Sequence, residues 1–135
     1  MKMKLLAIDT ATKIAGAAVI NESGVLAESW LNTGKTHSQK FLPMLDSMLK
    51  NSDIALEEVD CFAVTVGPGS FTGVRIGLAT LKGFIQVLER PVVSVVTLDA
   101  LCRNLSGSPK LICPVLDARK NEVYTALYRE EGVIT

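Results

Sequence analysis

Cys61-Phe62-Ala63-Val64-Thr65-Val66 runs directly into Gly67-Pro68-Gly69-Ser70-Phe71-Thr72-Gly73-Val74-Arg75-Ile76-Gly77. The first run is apolar and β-prone, and the residues from Val74 to Leu88 suit a helix, so the stretch reads as a strand-to-helix turn. Turns of this kind are where α/β proteins place function. Gly67, Gly69 and Gly73 permit positive φ and close backbone approach, Pro68 fixes φ, and Thr72 is placed to cap the helix. The plainer alternative is a tight turn whose small residues serve packing alone.

Three catalytic templates fail on spacing. A P-loop needs Lys and then Ser or Thr after its last glycine, whereas Val74 and Arg75 follow Gly73. The glycines at 67, 69 and 73 are spaced one residue too long for a dinucleotide-binding fingerprint. A nucleophile elbow needs glycine two residues to either side of Ser70, where Pro68 and Thr72 stand. Ser70 is therefore not read as a nucleophile, and the single histidine, His37, gives a Ser-His-Asp set little support.

The helix that follows carries Gly73, Gly77 and Gly83 with Ala79. A mid-helix glycine costs up to about 1 kcal/mol against alanine, so these positions imply that another backbone comes very close, from the chain's own sheet or from a second helix. Arg75 sits where the helix dipole disfavours a cation, and an acidic partner is expected for it.

Upstream, Lys4 to Thr10, Ile14 to Ile20 and Val25 to Leu31 read as a three-stranded meander, with Asp9 and Thr10 closing the first strand. Thr36-His37-Ser38-Gln39 fits a capping box, and Phe41, Leu42, Met44, Leu45, Met48 and Leu49 recur at helical spacing up to about Lys50. Pro43 is expected to bend this helix or split off its first turn. His37 reads as a polar neighbour of the cap. Downstream, Pro91 to Val96 is a continuous β-branched run, expected of a strand buried on both faces, after which Thr97 caps a short helix over 98–104. Ser106-Gly107-Ser108-Pro109 is the best linker signal. Beyond it, Leu111 to Asp117, a turn with Arg119 and Lys120, and Glu122 to Tyr128 repeat the pattern of the first hairpin: strand, terminal acid, basic turn, strand. The second strand of this repeat is expected to leave an exposed edge over 122–130.

Composition narrows the function classes. The chain has 135 residues, zero formal net charge and 5% aromatic residues, which argues against an autonomous nucleic-acid binder. Hydrophobic residues make up 48%, yet polar or charged residues break every apolar run well before the roughly 20 needed to span a bilayer. Asp9 interrupts the N-terminal apolar run too early for a signal peptide, so a cytosolic protein is expected. Cys61, Cys102 and Cys113 each sit among apolar neighbours without CxxC spacing and read as buried free thiols. One histidine leaves no His-Cys cluster for a metal.

The glycine stretch, together with Ala7-Ile8-Asp9-Thr10, His37-Ser38 followed by Leu42-Pro43, and Pro114-Val115-Leu116-Asp117-Ala118-Arg119, closely resembles the TsaB (YeaZ) family over the whole chain. The resemblance implies an α/β, actin-like ATPase fold built of ribonuclease-H-like domains, with 1–105 a complete first domain and 106–135 a linker and the opening of a second. It implies a non-catalytic scaffold or activator in threonylcarbamoylation of tRNA adenosine 37, partnered by TsaD and TsaE, a homodimer when TsaD is absent, reaching tRNA only through the complex, with ATP-Mg at the level of the complex. TsaD proteins carry a metal-binding His-x-Glu-x-His segment where this chain has Thr97-Leu98-Asp99-Ala100-Leu101. On this reading Met44, Met48, Gly73, Gly77 and Leu81 are the expected partner interface, and Gly67, Pro68, Gly69, Thr72 and Arg75 shape the turn. Asp9 and Thr10 are the weaker nucleotide-side candidates. The rival is a stand-alone ATP-dependent phosphotransferase or a peptidase of the same superfamily, using Asp9 and Thr10 for magnesium and phosphate.

Overall fold

In the computed structural model, residues 2–32, 37–107, 110–129 and the backbone of 132–133 are described. Five strands, β1 (Leu5–Asp9), β2 (Ile14–Asn21), β3 (Gly24–Asn32), β4 (Cys61–Thr65) and β5 (Val92–Val95), form one sheet in the order β3-β2-β1-β4-β5. The β1-β2-β3 meander is antiparallel, whereas β4 and β5 run parallel to β1. Helices α1 (His37–Asn51) and α2 (Phe71–Leu88) connect the parallel part, and α3 (Thr97–Arg103) follows β5. This is the α/β arrangement expected from the sequence.

Alternation decides which face each strand buries. Leu6 and Ile8 of β1, Ala15, Ala17 and Val19 of β2, and Phe62 and Val64 of β4 point toward α1 and α2 and form the core with Phe41, Leu45 and Leu81. Phe62 stacks on Phe84 of α2 with ring centroids 5.8 Å apart.

Several expectations are corrected. Pro43 lies inside α1, which continues through it unsplit from His37 to Asn51. The one hydrogen bond it removes would have used the Gln39 carbonyl, and both residues are on the exposed side, where water can satisfy it. Thr36 of the expected capping box, and Ser108 and Pro109 of the linker, lie outside the described residues. Strand β5 is not buried on both faces: it is the edge of the sheet, and Val93 remains 48% exposed because no layer covers it there. Helix α3 begins at Thr97 itself; Val96 occupies the cap, and the Thr97 hydroxyl is buried without a partner among the described residues. Cys61 is buried, Cys102 half-buried, and Cys113 exposed, with its thiol 3.1 Å from the Thr125 hydroxyl.

The repeated pattern near the C-terminus forms β6 (Val115–Arg119) and β7 (Glu122–Thr125), an antiparallel hairpin, followed by β8 (Tyr128–Arg129) paired with β9 (Gly132–Val133). The two hairpins share one side-chain contact, an Asp that accepts from the amide two residues on, although the β1–β2 loop has four residues and the β6–β7 loop two, with positive φ at Lys120 and Asn121. The Ala11 amide donates to Asp9 Oδ1 at 3.0 Å, and the Arg119 amide donates to Asp117 Oδ1 at 2.7 Å.

Candidate functional site

The turn between β4 and α2 is held by its neighbours rather than by its own residues alone. Gly67 has φ of 105° and precedes a cis Gly67–Pro68 peptide, and its carbonyl accepts from the Thr97 amide at 2.9 Å. The Ser70 amide donates to the Ala11 carbonyl at 2.7 Å. A Cβ on Gly69 would overlap Ala11, so this glycine is required by close approach to the β1–β2 turn. Ser70, not Thr72, is the N-cap of α2: its hydroxyl accepts from the Gly73 amide at 3.2 Å, and Thr72 is an exposed residue of the first turn. Helix α2 therefore starts at Phe71, earlier than the glycine spacing suggests.

The close partner of the helical glycines is the chain's own sheet. A Cβ on Gly73 would overlap the Thr10 carbonyl, and one on Gly77 would lie 2.6 Å from Thr10 Oγ1 and 3.5 Å from Ile8 and Val64. Thr10 is fully buried, and its hydroxyl donates to the Gly73 carbonyl at 2.7 Å. Its hydroxyl is thereby turned into the packed junction of β1 with α2. Gly83, by contrast, faces open space.

The five residues expected to meet a partner are all buried. Met44 and Met48 pack in the core under α1, and Gly73, Gly77 and Leu81 lie against the sheet. As placed, none of them presents a surface, because the same apolar periodicity that marks a docking face also marks the face that seals a sheet. Among the described residues Arg75 has no acidic partner within ion-pair distance; its guanidinium lies over the Phe71 ring, 5.2 Å from the centroid.

What α2 leaves outward was not singled out from the sequence. Phe71 is 75% exposed, and Leu78, seven residues on and so on the same side, is exposed as well. Over its 18 residues α2 has a mean hydropathy of 1.2, long and apolar enough by composition alone to cross a membrane, yet it lies across β1 and β4 and buries only 17% of that span. The signal was available: apolar residues surround α2 instead of forming one stripe, and a helix of that kind needs cover on more than one side.

Asp9 ends β1 on the opposite face of the sheet. Its Oδ1 accepts from the Thr65 hydroxyl at 2.7 Å as well as from the Ala11 amide. His37, 7% exposed, sits at the first turn of α1 with Nε2–H donating to the Thr12 carbonyl at 3.0 Å; Nδ1 has no partner among the described residues. The β1–β2 turn is thus the hub of the molecule: α1, α2 and β4 all bond to it. Among the described residues no three His, Cys, Asp or Glu side chains gather closely enough to hold a metal. At the place of the TsaD metal segment, α3 offers Asp99, whose carboxylate accepts from the Tyr128 hydroxyl. These residues do not fit an imidazole-bound metal.

The family profile described as TsaD, tRNA N6-adenosine threonylcarbamoyltransferase, matches residues 23–134. The chain belongs to the TsaD family, within its TsaB (YeaZ) branch. It is 39% identical to the tRNA threonylcarbamoyladenosine biosynthesis protein TsaB of Bacillus subtilis, over 94% of this chain and 56% of that protein. It is 36% identical to TsaB of Escherichia coli, over 96% of this chain and 56% of that protein. Among solved structures, YeaZ from Pseudomonas aeruginosa superposes with a TM-score of 0.86 at 32% identity, covering 98% of this chain and 63% of that one. The chain thus spans little more than half the length of these TsaB relatives, and the actin-like fold is shared with them.

Proposed function

We propose that this chain serves in threonylcarbamoyladenosine synthesis as a non-catalytic subunit that docks on TsaD through α1 and α2. The similarity to proteins named for that synthesis supports the pathway. The observation that carries the docking is the outward face of α2, where Phe71 and Leu78 stand exposed beside Ala79 and Gly83, small residues that let another helix approach closely. Leu42 of α1 is exposed as well. In the same reading the chain meets TsaE and tRNA only in the assembled complex, pairs with itself where TsaD is lacking, and works in the cytoplasm. ATP-Mg belongs to the complex. Residues 1–105 form the first domain and 106–135 open a second, a division supported by the recurrence at Asp9 and Asp117 of an aspartate that accepts from the amide two residues on.

The test is to mix the chain with TsaD and read complex mass by light scattering and tRNA modification by nucleoside analysis. Wild type should form the complex, and Phe71→Glu/Leu78→Glu should abolish it while its circular dichroism spectrum stays unchanged. Undiminished binding by the folded double variant would overturn this reading.

A further inference from the structure

Helix α2 turns one stripe of side chains to water that its sheet-facing glycines do not account for. Phe71, Arg75, Leu78 and Lys82 are all exposed. At about 100° of rotation per residue they fall within an arc of about 60°, so they form a single line along the helix. The line alternates apolar and cationic positions, and Arg75 and Lys82, seven residues apart, stand about 10 Å from each other along the axis. They are the charged residues of α2, which holds no Asp or Glu between Phe71 and Leu88. Neither is in an ion pair among the described residues.

Arg75 is oriented for a partner. The Phe71 ring covers one face of its guanidinium, 5.2 Å away, and that stacking leaves the N–H edge able to meet a carboxylate in its own plane. Two cations are too few to hold a nucleic-acid backbone, and the apolar Phe71 and Leu78 beside them call for a protein surface. A second copy of α2 is a poor match. An antiparallel two-fold pairing centred between Leu78 and Ala79 sets Arg75 of each copy against Lys82 of the other, like charge against like.

We propose that TsaD offers α2 an apolar helix face bearing two carboxylates two turns apart, one for Arg75 and one for Lys82, and that the same two cations make self-pairing the weaker alternative. The inference rests on the docking of α2 put forward above and adds the chemistry that selects TsaD over a second copy. The apolar positions of the incoming helix lie on Phe71 and Leu78, while Ala79 and Gly83 let its backbone approach.

The test measures the dissociation constant for TsaD by calorimetry and the self-association of the chain alone by sedimentation equilibrium, with circular dichroism to establish that each variant is folded. Wild-type binding to TsaD should weaken several-fold between about 50 and 500 mM sodium chloride. Arg75→Gln/Lys82→Gln should bind TsaD about tenfold more weakly and lose most of that salt dependence. Lys82→Glu sets opposite charges against each other in the self-pair, so it should tighten self-association about fivefold while weakening the complex with TsaD. Arg75→Glu/Lys82→Glu opposes like charges again and should return self-association to the wild-type level. Unchanged affinity and salt response in Arg75→Gln/Lys82→Gln would overturn the proposal; the docking itself would still stand wherever Phe71→Glu/Leu78→Glu abolishes the complex. Equal self-association of wild type and Lys82→Glu would likewise overturn it, because the two cations would then not act against a second copy.

Discussion

Gly77→Ala and Gly83→Ala make the same chemical change in the interior of the same helix, yet the structure assigns them opposite signs. Intrinsic propensity favours alanine by about 0.8–1.0 kcal/mol at either site. At Gly83 nothing lies within 4 Å of the new methyl group, so the full gain of somewhat under 1 kcal/mol should appear. At Gly77 the methyl group would sit 2.6 Å from Thr10 Oγ1, with Ile8 and Val64 methyl groups at 3.5 Å closing the other sides. Relief requires α2 to lift from β1 or Thr10 to rotate. Lifting costs roughly 1–3 kcal/mol as overpacking. Rotation breaks the buried bond from Thr10 to the Gly73 carbonyl, about 1–3 kcal/mol. Set against the propensity gain, Gly77→Ala should destabilise by up to about 2 kcal/mol if either route serves, and by more if both are needed. Urea unfolding followed by far-ultraviolet circular dichroism measures this directly. With a slope of about 2 kcal/mol per molar, the Gly77→Ala midpoint should fall by up to about 1 M and the Gly83→Ala midpoint rise by a few tenths. A Gly77→Ala midpoint at or above that of wild type would refute the claim that the close approach of β1 selects glycine there.

Ser70→Ala removes the cap of α2 and should cost about 1 kcal/mol in the same urea assay, whereas Thr72→Ala, at an exposed helical position, should cost far less. Tyr128 is buried and donates to Asp99, which together push its phenol up to about 12 from an ordinary 10.0. The raised value means that its stabilisation is complete below pH 10 and is lost as pH rises toward about 12. Thermal melts from pH 8 to 11.5 should therefore show an alkaline decline that is shallower in Tyr128→Phe.

The β1–β2 turn shows how far pattern reading reaches. An apolar run ending in Asp9, and another running into Gly67-Pro68-Gly69, were enough to place two strands and the helix after the second, because periodicity and turn chemistry are local properties, whereas their parallel pairing came only with the tertiary structure. Partners were not legible in the same way. Arg75 was expected to need an acid and instead stacks on Phe71, four residues away on its own helix. The partner of the Thr10 hydroxyl is a carbonyl 63 residues on, a pairing that no local pattern shows.

The sequence by itself determined the element types, the α/β class and, through the resemblance carried by the glycine stretch, the TsaB branch; each depends on residues adjacent or periodic along the chain. Only the tertiary structure decided which surfaces remain. Met48 and Phe71 are both apolar helical residues, but one seals the core and the other faces water. That difference depends on where the sheet lies beneath each helix, a relation between distant segments that local periodicity does not contain. The same holds for the glycines of α2: 73 and 77 meet β1, while 83 meets nothing.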